Sequence, residues 1–214
     1  MPVVVERVQT LNCYRLNWTR TRRAALVKLI KSVNASVILV QECTEEMRAD
    51  ICTDTGLAVG YAKGNVGFLI KPEAWSVEHD GDVVLTAGDD DRRAVCVVLR
   101  HQEAGTECKM LNTHLTNLEG GGQAGEGHRI GQITQALGAF YGVHLAGGDL
   151  NSRGAVQAVL TAAGFLLMKD RTGIKSGIDE LATKPSMKVV RGGKVAHGSA
   201  TDHDTYWLEW EVNA

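Results

Sequence analysis

No stretch of this sequence approaches the ~18 consecutive apolar residues that a membrane-spanning helix needs. The apolar start Val3-Val4-Val5 is broken at once by Glu6 and Arg7, which does not fit the plan of a secretory signal. C-x-x-C spacing is missing too. The five cysteines (Cys13, Cys43, Cys52, Cys96, Cys108) are an odd number. Neither a zinc site nor a disulfide framework is therefore expected, and reduced thiols in a soluble, cytoplasmic protein are the simpler account. Strong net charge is absent: 25 acidic residues stand against 23 basic ones, a net of −2, so no global basic field advertises a nucleic-acid binder. Aromatic residues make up only 5%, few for stacking on single-stranded bases. What is present is 44% apolar and 22% charged residues over 214 positions, enough for one sizeable core. One domain spanning residues 1–214 is the expectation, without repeats, linkers or low-complexity segments.

The charge is unevenly spread. From Arg7 to Gln41 there is no acidic residue, while Arg15, Arg20, Arg22, Arg23, Lys28 and Lys31 are present. From Leu181 to Thr201 there is again none, with Lys184, Lys188, Arg191 and Lys194. Acid gathers at Asp80, Asp82 and Asp89-Asp90-Asp91. Each run taken alone reads as a solvated face.

Hydrophobic periodicity predicts a strand over Val3 to Asn12 and a helix from Thr19 to Val33 with Leu26, Leu29, Ile30 and Val33 buried. The arginines at that helix start oppose its dipole, which something anionic nearby would offset. Val37 to Val40 is a continuous apolar run, suited to a strand covered on both faces, and it ends in Gln41-Glu42. Thr44-Glu45-Glu46 opens a second helix. Shorter strands are expected within Leu57 to Ile70, turned by Gly64-Asn65, and over Trp75 to Leu85, Arg93 to Leu99 and Glu107 to Leu115. Gly120-Gly121-Gly122 reads as a loop before a helix with Ile130, Ile133, Leu137 and Phe140 on one side. Tyr141 to Leu145 reads as a buried strand, followed by Gly147-Gly148-Asp149-Leu150-Asn151. If that strand continues, Asp149 and Asn151 share a face. A helix with Val156, Val159, Leu160 and Ala163 on one stripe follows. Then come a strand over Phe165 to Met168, a hairpin turning at Arg191 to Lys194, and a last strand from Tyr206 to Val212. Helices alternating with strands, then hairpins, argue sheets with helices outside.

Five of these strands end in unusual polar residues: Asn12, Gln41-Glu42, Asn112-Thr113-His114, Asp149-Leu150-Asn151 and Asp202-His203. Asp179 follows Ile178 in the same manner. Any one of them is ordinary turn chemistry, but turns favour Gly, Pro and Ser as well. The order of these motifs resembles the endonuclease/exonuclease/phosphatase superfamily, with its DNase I-like fold. Leu11-Asn12, Val40-Gln41-Glu42, Arg93-Ala94-Val95, Asn112 to Leu115, Arg129 to Gln132, Gly148 to Asn151, Ile178-Asp179 and Thr201-Asp202-His203 stand in the family order across nearly the whole chain. Thr201 replaces the family's Ser and keeps the hydroxyl. The resemblance implies an α/β fold, a four-layer α/β/β/α sandwich of two mixed sheets packed face to face with helices outside.

It also implies chemistry. Phosphoester hydrolysis needs an activated water, neutralised phosphoryl oxygens and help for the leaving oxygen. Glu42, with Asn12 and Asp202, would hold Mg²⁺ or Mn²⁺, a hard cation suited to oxygen ligands; Asn12 equally reads as a turn cap. His203 would act as general base, oriented by Asp179 in the manner of a catalytic triad. His114 and Asn151 would donate to the scissile phosphate, where fixed donors count most. Asp149 would position water or protonate the leaving group. Arg93 would stand near the phosphate, with Arg92 as the alternative that points inward.

The superfamily does not choose a substrate. The two acid-free basic runs flank Asn12 and the Asp179-to-His203 segment, so both are expected at one cleft mouth, where a phosphate backbone passes. DNA as substrate, cut by an endo- or exonuclease, is the favoured reading. A small-molecule, lipid or inositol phosphatase or phosphodiesterase is the alternative, and a catalytically dead binding module the third.

Overall fold

The computed structural model describes residues 3–14, 18–86, 92–117, 123–152, 154–196, 198 and 200–212. Among them are two six-stranded mixed sheets. The first has the order β11-β12-β1-β2-β4-β3, with β1 (Val4–Asn12), β2 (Val37–Gln41), β3 (Ala58–Lys63), β4 (Val66–Ile70), β11 (Val189–Val195) and β12 (Thr205–Val212). The second has the order β5-β6-β7-β8-β10-β9, with β5 (Trp75–Val84), β6 (Arg93–His101), β7 (Glu107–His114), β8 (Leu145–Asp149), β9 (Leu166–Leu167) and β10 (Asp179–Thr183). Helices α1 (Arg20–Val33) and α2 (Glu45–Thr55) cover the first sheet. Helices α3 (Gln123–Ala139) and α4 (Ala155–Ala162) cover the second, and α5 (Met168–Thr172) joins β9 to β10. No helix among the described residues is long and apolar enough to cross a membrane.

Three stacked cores explain the layering. Alternate residues of β2 point to opposite faces. Val37 and Leu39 therefore meet Val97, Met110 and Leu145 of the other sheet, while Ile38 and Val40 meet Leu26, Ile30 and Met47 of the helices. A strand buried on both faces can only be apolar throughout, which is what the run Val37 to Val40 supplies. Ile133, Ala136, Val156 and Leu160 close the third core over Leu111 and Ala146. Thr19 and Thr44 cap α1 and α2, accepting from the N–H groups of Arg22 and Met47.

Several local expectations are corrected. The segment Tyr141 to Leu145 is not a strand: Tyr141 is 83% exposed, and β8 begins only at Leu145. The two glycines lie inside the strand. A Cβ on Gly147 would stand 2.7 Å from the Glu180 carbonyl and 3.1 Å from Leu39, so a bare backbone is what lets the sheets close here. Arg191 to Lys194 is likewise strand, not turn. Gly193 lies under the Trp207 ring, where a Cβ would sit 2.3 Å from a ring carbon. Glycine pairs read as turns because their φ freedom usually matters; here their lack of a side chain does. Ile130 is exposed, and the inward face of α3 is Arg129, Gln132, Ile133 and Ala136. Ala163 is exposed at the end of α4, and Met168 opens α5 in place of a longer strand. The loop expected at Gly120 to Gly122, Asp89 to Asp91, Arg15 and His197 lie outside the described residues.

Candidate active site

The pairing of the sheets brings the polar tips to one edge. β1 and β2 run parallel and end together, Asn12 opposite Gln41. β7 and β8 also run parallel and end together, His114 opposite Asp149. β10 is antiparallel to β8, so its first residue, Asp179, pairs with the last of β8, Asp149. The turn carrying Thr201, Asp202 and His203 leads into β12, antiparallel to β1, and Thr201 Oγ1 donates to the Asn12 carbonyl at 2.7 Å. Asp179 and His203 thus lie at strand starts, a correction to the idea that all the tips end strands. Antiparallel neighbours reach the same edge from the opposite direction.

Side-chain hydrogen bonds cross between the sheets at this edge. Asn12 Nδ2 donates to Asp149 Oδ2 at 2.9 Å, and Gln41 Nε2 donates to Asn112 Oδ1 at 2.7 Å. Asn112 Nδ2 returns to the carbonyls of Val40 and Gly67. All four side chains are buried. Satisfied buried amides rigidify the position of whatever they hold.

His203 Nδ1 lies 2.9 Å from Asp179 Oδ2 and 3.8 Å from Asp149 Oδ2. His114 Nε2 lies 3.4 Å from Asp149 Oδ2 and 3.9 Å from Glu42 Oε1. His114 Nδ1 faces Arg92 Nη1 at 2.9 Å. A guanidinium only donates, so Nδ1 accepts and the neutral ring carries its proton on Nε2, toward the cleft. Arg93 is turned away, to Asp82, because neighbours on a strand point to opposite sides. Arg92 is the inward one, which corrects the assignment of Arg93.

The strand does not carry Asn151 beside Asp149. β8 stops at Asp149, and Asn151 takes φ 47°. Its N–H donates to Asp149 Oδ1 at 3.0 Å and its Nδ2 to the Leu115 carbonyl at 2.8 Å. Glu42 has φ 49° and Tyr14 φ 50°, so three of the four non-glycine residues with positive φ among the described residues flank this edge. Such strain concentrates at sites where a side chain must be aimed. Asp202 lies at the exposed rim, 3.9 Å from His203 Nε2.

Burial and crowding shift the titrations. Burial raises Asp149 to about 7; the nearby charge of Asp179 adds to this, and the partners His203, Asn151 and Asn12 only partly oppose it. Burial also raises Asp179, against its bond to His203. Burial alone would lower His203, but its bond to Asp179 and the charges of Asp179, Asp149 and Asp202 outweigh it and hold the imidazole at about 9.

Helix α3 supports the edge through residues not assigned a role from sequence. Gln132 accepts from the Thr116 N–H and donates to its hydroxyl, and Arg129 donates to the Thr116 carbonyl. Glu126 takes the Ser152 hydroxyl at 2.9 Å and pairs with Arg129. The loops after His114 and after Asn151 are thereby tied to one helix. Arg48 likewise holds the carbonyls of Cys43 and Gly64 and fixes the backbone after Glu42.

The donor set fits a hard divalent cation. Asp149, Asp179 and His203 place ligand atoms within 4.8 Å of one another, and Asp179 Oδ1 is buried without a hydrogen-bond partner. In this triad, however, His203 Nδ1 is engaged with Asp179. Glu42 is a half-buried carboxylate at the cleft that makes no hydrogen bond among the described residues, and an oxygen ligand of that kind is what Mg²⁺ prefers. Asn12, expected beside it as a ligand, has both amide atoms occupied, Oδ1 by the Tyr14 N–H and Nδ2 by Asp149.

The basic runs reach this edge only in part: Lys194, opposite Tyr206 near the start of β12, pairs with Asp204 beside His203. Lys184 follows the end of β10 that pairs with Leu145, and Lys188 precedes Val189, opposite Trp210, both at the far end of their sheets. Arg23, Lys188, Arg191 and Lys194 are paired with Asp50 and Asp54, Glu211, Glu209 and Asp204. Arg22 donates to the Ala200 carbonyl, near the cluster.

No family model matches this sequence, and no curated protein does. Solved structures do. An endonuclease/exonuclease/phosphatase family protein from Bacteroides thetaiotaomicron superposes with a TM-score of 0.79 at 13% identity, covering 100% of both chains. TDP2 of D. rerio complexed with single-strand DNA product gives 0.76 at 12%, covering 97% of this chain and 99% of that one. A mannosyl-6-phosphatase of B. thetaiotaomicron gives 0.74 at 15%, covering 96% and 99%. The four-layer sandwich implied by the motif order is the fold these proteins share with this chain.

Proposed function

We propose that this protein is a divalent-metal-dependent phosphoester hydrolase whose substrate is a phosphodiester, with nucleic acid the favoured source. The observation that carries the reading is the convergence of Glu42, His114, Asp149, Asp179 and His203 from both sheets on one edge, with His203 Nδ1 held 2.9 Å from Asp179. The resemblance of the ordered motifs and the fold shared with phosphoesterases support it.

The side chains take distinct parts. Asp179 fixes the His203 ring, leaving Nε2 to accept a proton from an attacking water. His114 presents Nε2–H, and Asn151 its remaining amide hydrogen, to phosphoryl oxygens on which charge builds. Asp149, with its carboxyl raised to about 7, is a proton donor matched to a leaving oxygen near neutral pH. Glu42 would hold the divalent ion, which when bound neutralises phosphoryl charge and, by the same charge, favours the neutral imidazole.

A second reading, a phosphatase of a small phosphorylated sugar, is favoured by the internal pairing of the basic runs. A substrate panel under Mn²⁺ separates the two: plasmid, linear DNA, RNA, inositol phosphates and a chromogenic phosphodiester. Nicking of plasmid supports the first reading. Turnover confined to small monoesters supports the second, and turnover of nothing rejects both.

A further inference from the structure

A cavity of about 530 Å³ lies beside the catalytic cluster, between α4, α5 and the loop that precedes β10. No residue of the cluster lines it. Its rim is nevertheless built from the loops that carry two of them. Gly154 stands three residues after Asn151, and Gly177 two before Asp179. The Leu150 N–H donates to the Ile178 carbonyl at 2.8 Å and joins these loops. The cluster and the cavity therefore share these two loops, with Asp179 facing the cluster and Glu180, the next residue of β10, facing the cavity.

The lining is chemically mixed. Leu167 gives an apolar surface, and Lys169 and Lys175 are both exposed. Neither lysine makes a hydrogen bond or ion pair among the described residues. Of the ten lysines, Lys71, Lys109, Lys184, Lys188 and Lys194 do; Lys169 and Lys175 are among the five that do not, and they are the two of those five that line this cavity. Gln157 is 8% exposed; its Nε2 donates to the Ser152 carbonyl at 2.8 Å, while its buried Oε1 has no partner. A buried acceptor left unmet is costly, and a donor brought by a ligand relieves it. Glu180 also lines the cavity and is held within its own loop and strand. Its carboxylate already accepts from Ser176 and from the N–H groups of Met168 and Leu181, and burial raises its pKa.

We propose that this cavity is a second anion subsite, which takes the phosphate adjoining the scissile one on Lys169 and Lys175 and a sugar hydroxyl on Gln157. It rests on the phosphoester reading above and narrows it: the substrate carries at least two phosphates joined through a sugar. The next backbone phosphate of a nucleic-acid strand and the second phosphate of a sugar bisphosphate both supply that chemistry.

The test compares the full chain with the Lys169→Glu/Lys175→Glu double variant on three probes under Mn²⁺. These are a chromogenic phosphodiester with one phosphate, a single-stranded DNA decamer and a sugar bisphosphate. The expected result is a loss of at least tenfold in kcat/KM on the decamer or the bisphosphate, carried by KM, with the chromogenic ester within twofold. Which probe suffers identifies the source of the second phosphate. Equal loss on all three, or none on any, overturns the subsite. Calorimetric binding of decamer and bisphosphate in EDTA gives a readout without turnover. Binding at least tenfold weaker in the variant supports the subsite, and equal or undetectable binding in both chains overturns it. An unmodified chain that hydrolyses none of the probes refutes the hydrolase reading, and the binding comparison then decides the subsite alone. Should the charge-reversed chain fail to fold, Lys169→Gln/Lys175→Gln takes its place under the same criteria.

Discussion

Asn12 and Asp149 sit in different sheets, and the 2.9 Å hydrogen bond between them joins the two halves of the sandwich at the edge proposed to be catalytic. Replacing Asn12 by Ala leaves one oxygen of a buried carboxylate without that donor. The expected cost is ~1–3 kcal/mol in stability, with a loss of turnover of at least tenfold as Asp149 drifts. Urea unfolding and steady-state rates on one sample check both, and an Asn12→Ala chain with unchanged stability and rate would show the bond to be incidental.

Metal-free stability should fall as pH rises above 4. Asp149 titrates at about 7 in the folded chain against an unfolded value of ~4, so the unfolded state gives up its proton first and stability declines between those values. His203 moves the same way: raised to about 9 from ~6.5, it contributes stability that is complete below 6.5 and gone above 9. Asp149→Asn is expected to flatten the decline from pH 4 to 7 and to stabilise the EDTA-treated protein at pH 8 on the order of a few kcal/mol. Thermal melts from pH 4 to 9 measure this, and a variant less stable than the parent at pH 8 contradicts it.

Legibility of the sequence tracked how local each signal was. The polar tips of β1, β2, β7 and β8 were visible because a continuous apolar run ended in Asn, Glu, His or Asp, and parallel strands that end together bring such tips together. Gly192-Gly193 were misread as a turn because their reason is a neighbour distant in sequence, Leu208 and Trp207; the reason for Gly147-Gly148, Leu39 and Thr113, is as distant and was not legible either. Choosing between Arg92 and Arg93 needed the register of β6, which one residue inverts. The roles of Gln132 and Arg129 were hidden because buried polar residues on a helix look like its solvent face until the loop they hold is in place.

Gln132 acts through Thr116 and so positions His114 and Asn151 without touching substrate. Gln132→Ala should lower kcat roughly tenfold with little change in KM, and Gln132→Glu, which retains the acceptor for the Thr116 N–H, should recover part of that loss. A KM effect alone, or no difference between the two variants, would assign Gln132 a merely structural part.

Gly148 has φ 124°, and a Cβ there would lie 2.0 Å from the Thr113 carbonyl oxygen. Gly148→Ala is therefore expected to destabilise by on the order of 3 kcal/mol or more and to separate β7 from β8 beside His114 and Asp149. Denaturant melts read it directly; a shift under about 0.5 kcal/mol would mean the strands have room to spare.

The central claim is that one carboxylate, Glu42, and one imidazole, His203, serve a divalent ion and a water at a single phosphorus atom. Its most direct test is the rate of phosphodiester hydrolysis under Mn²⁺ by the parent chain, by Glu42→Gln and by His203→Ala, each with and without EDTA. The expected result is turnover by the parent alone, abolished by EDTA and restored by added metal, with both variants folded and at least a hundredfold slower. Parent-like rates in either variant, or a parent indifferent to EDTA, would contradict it.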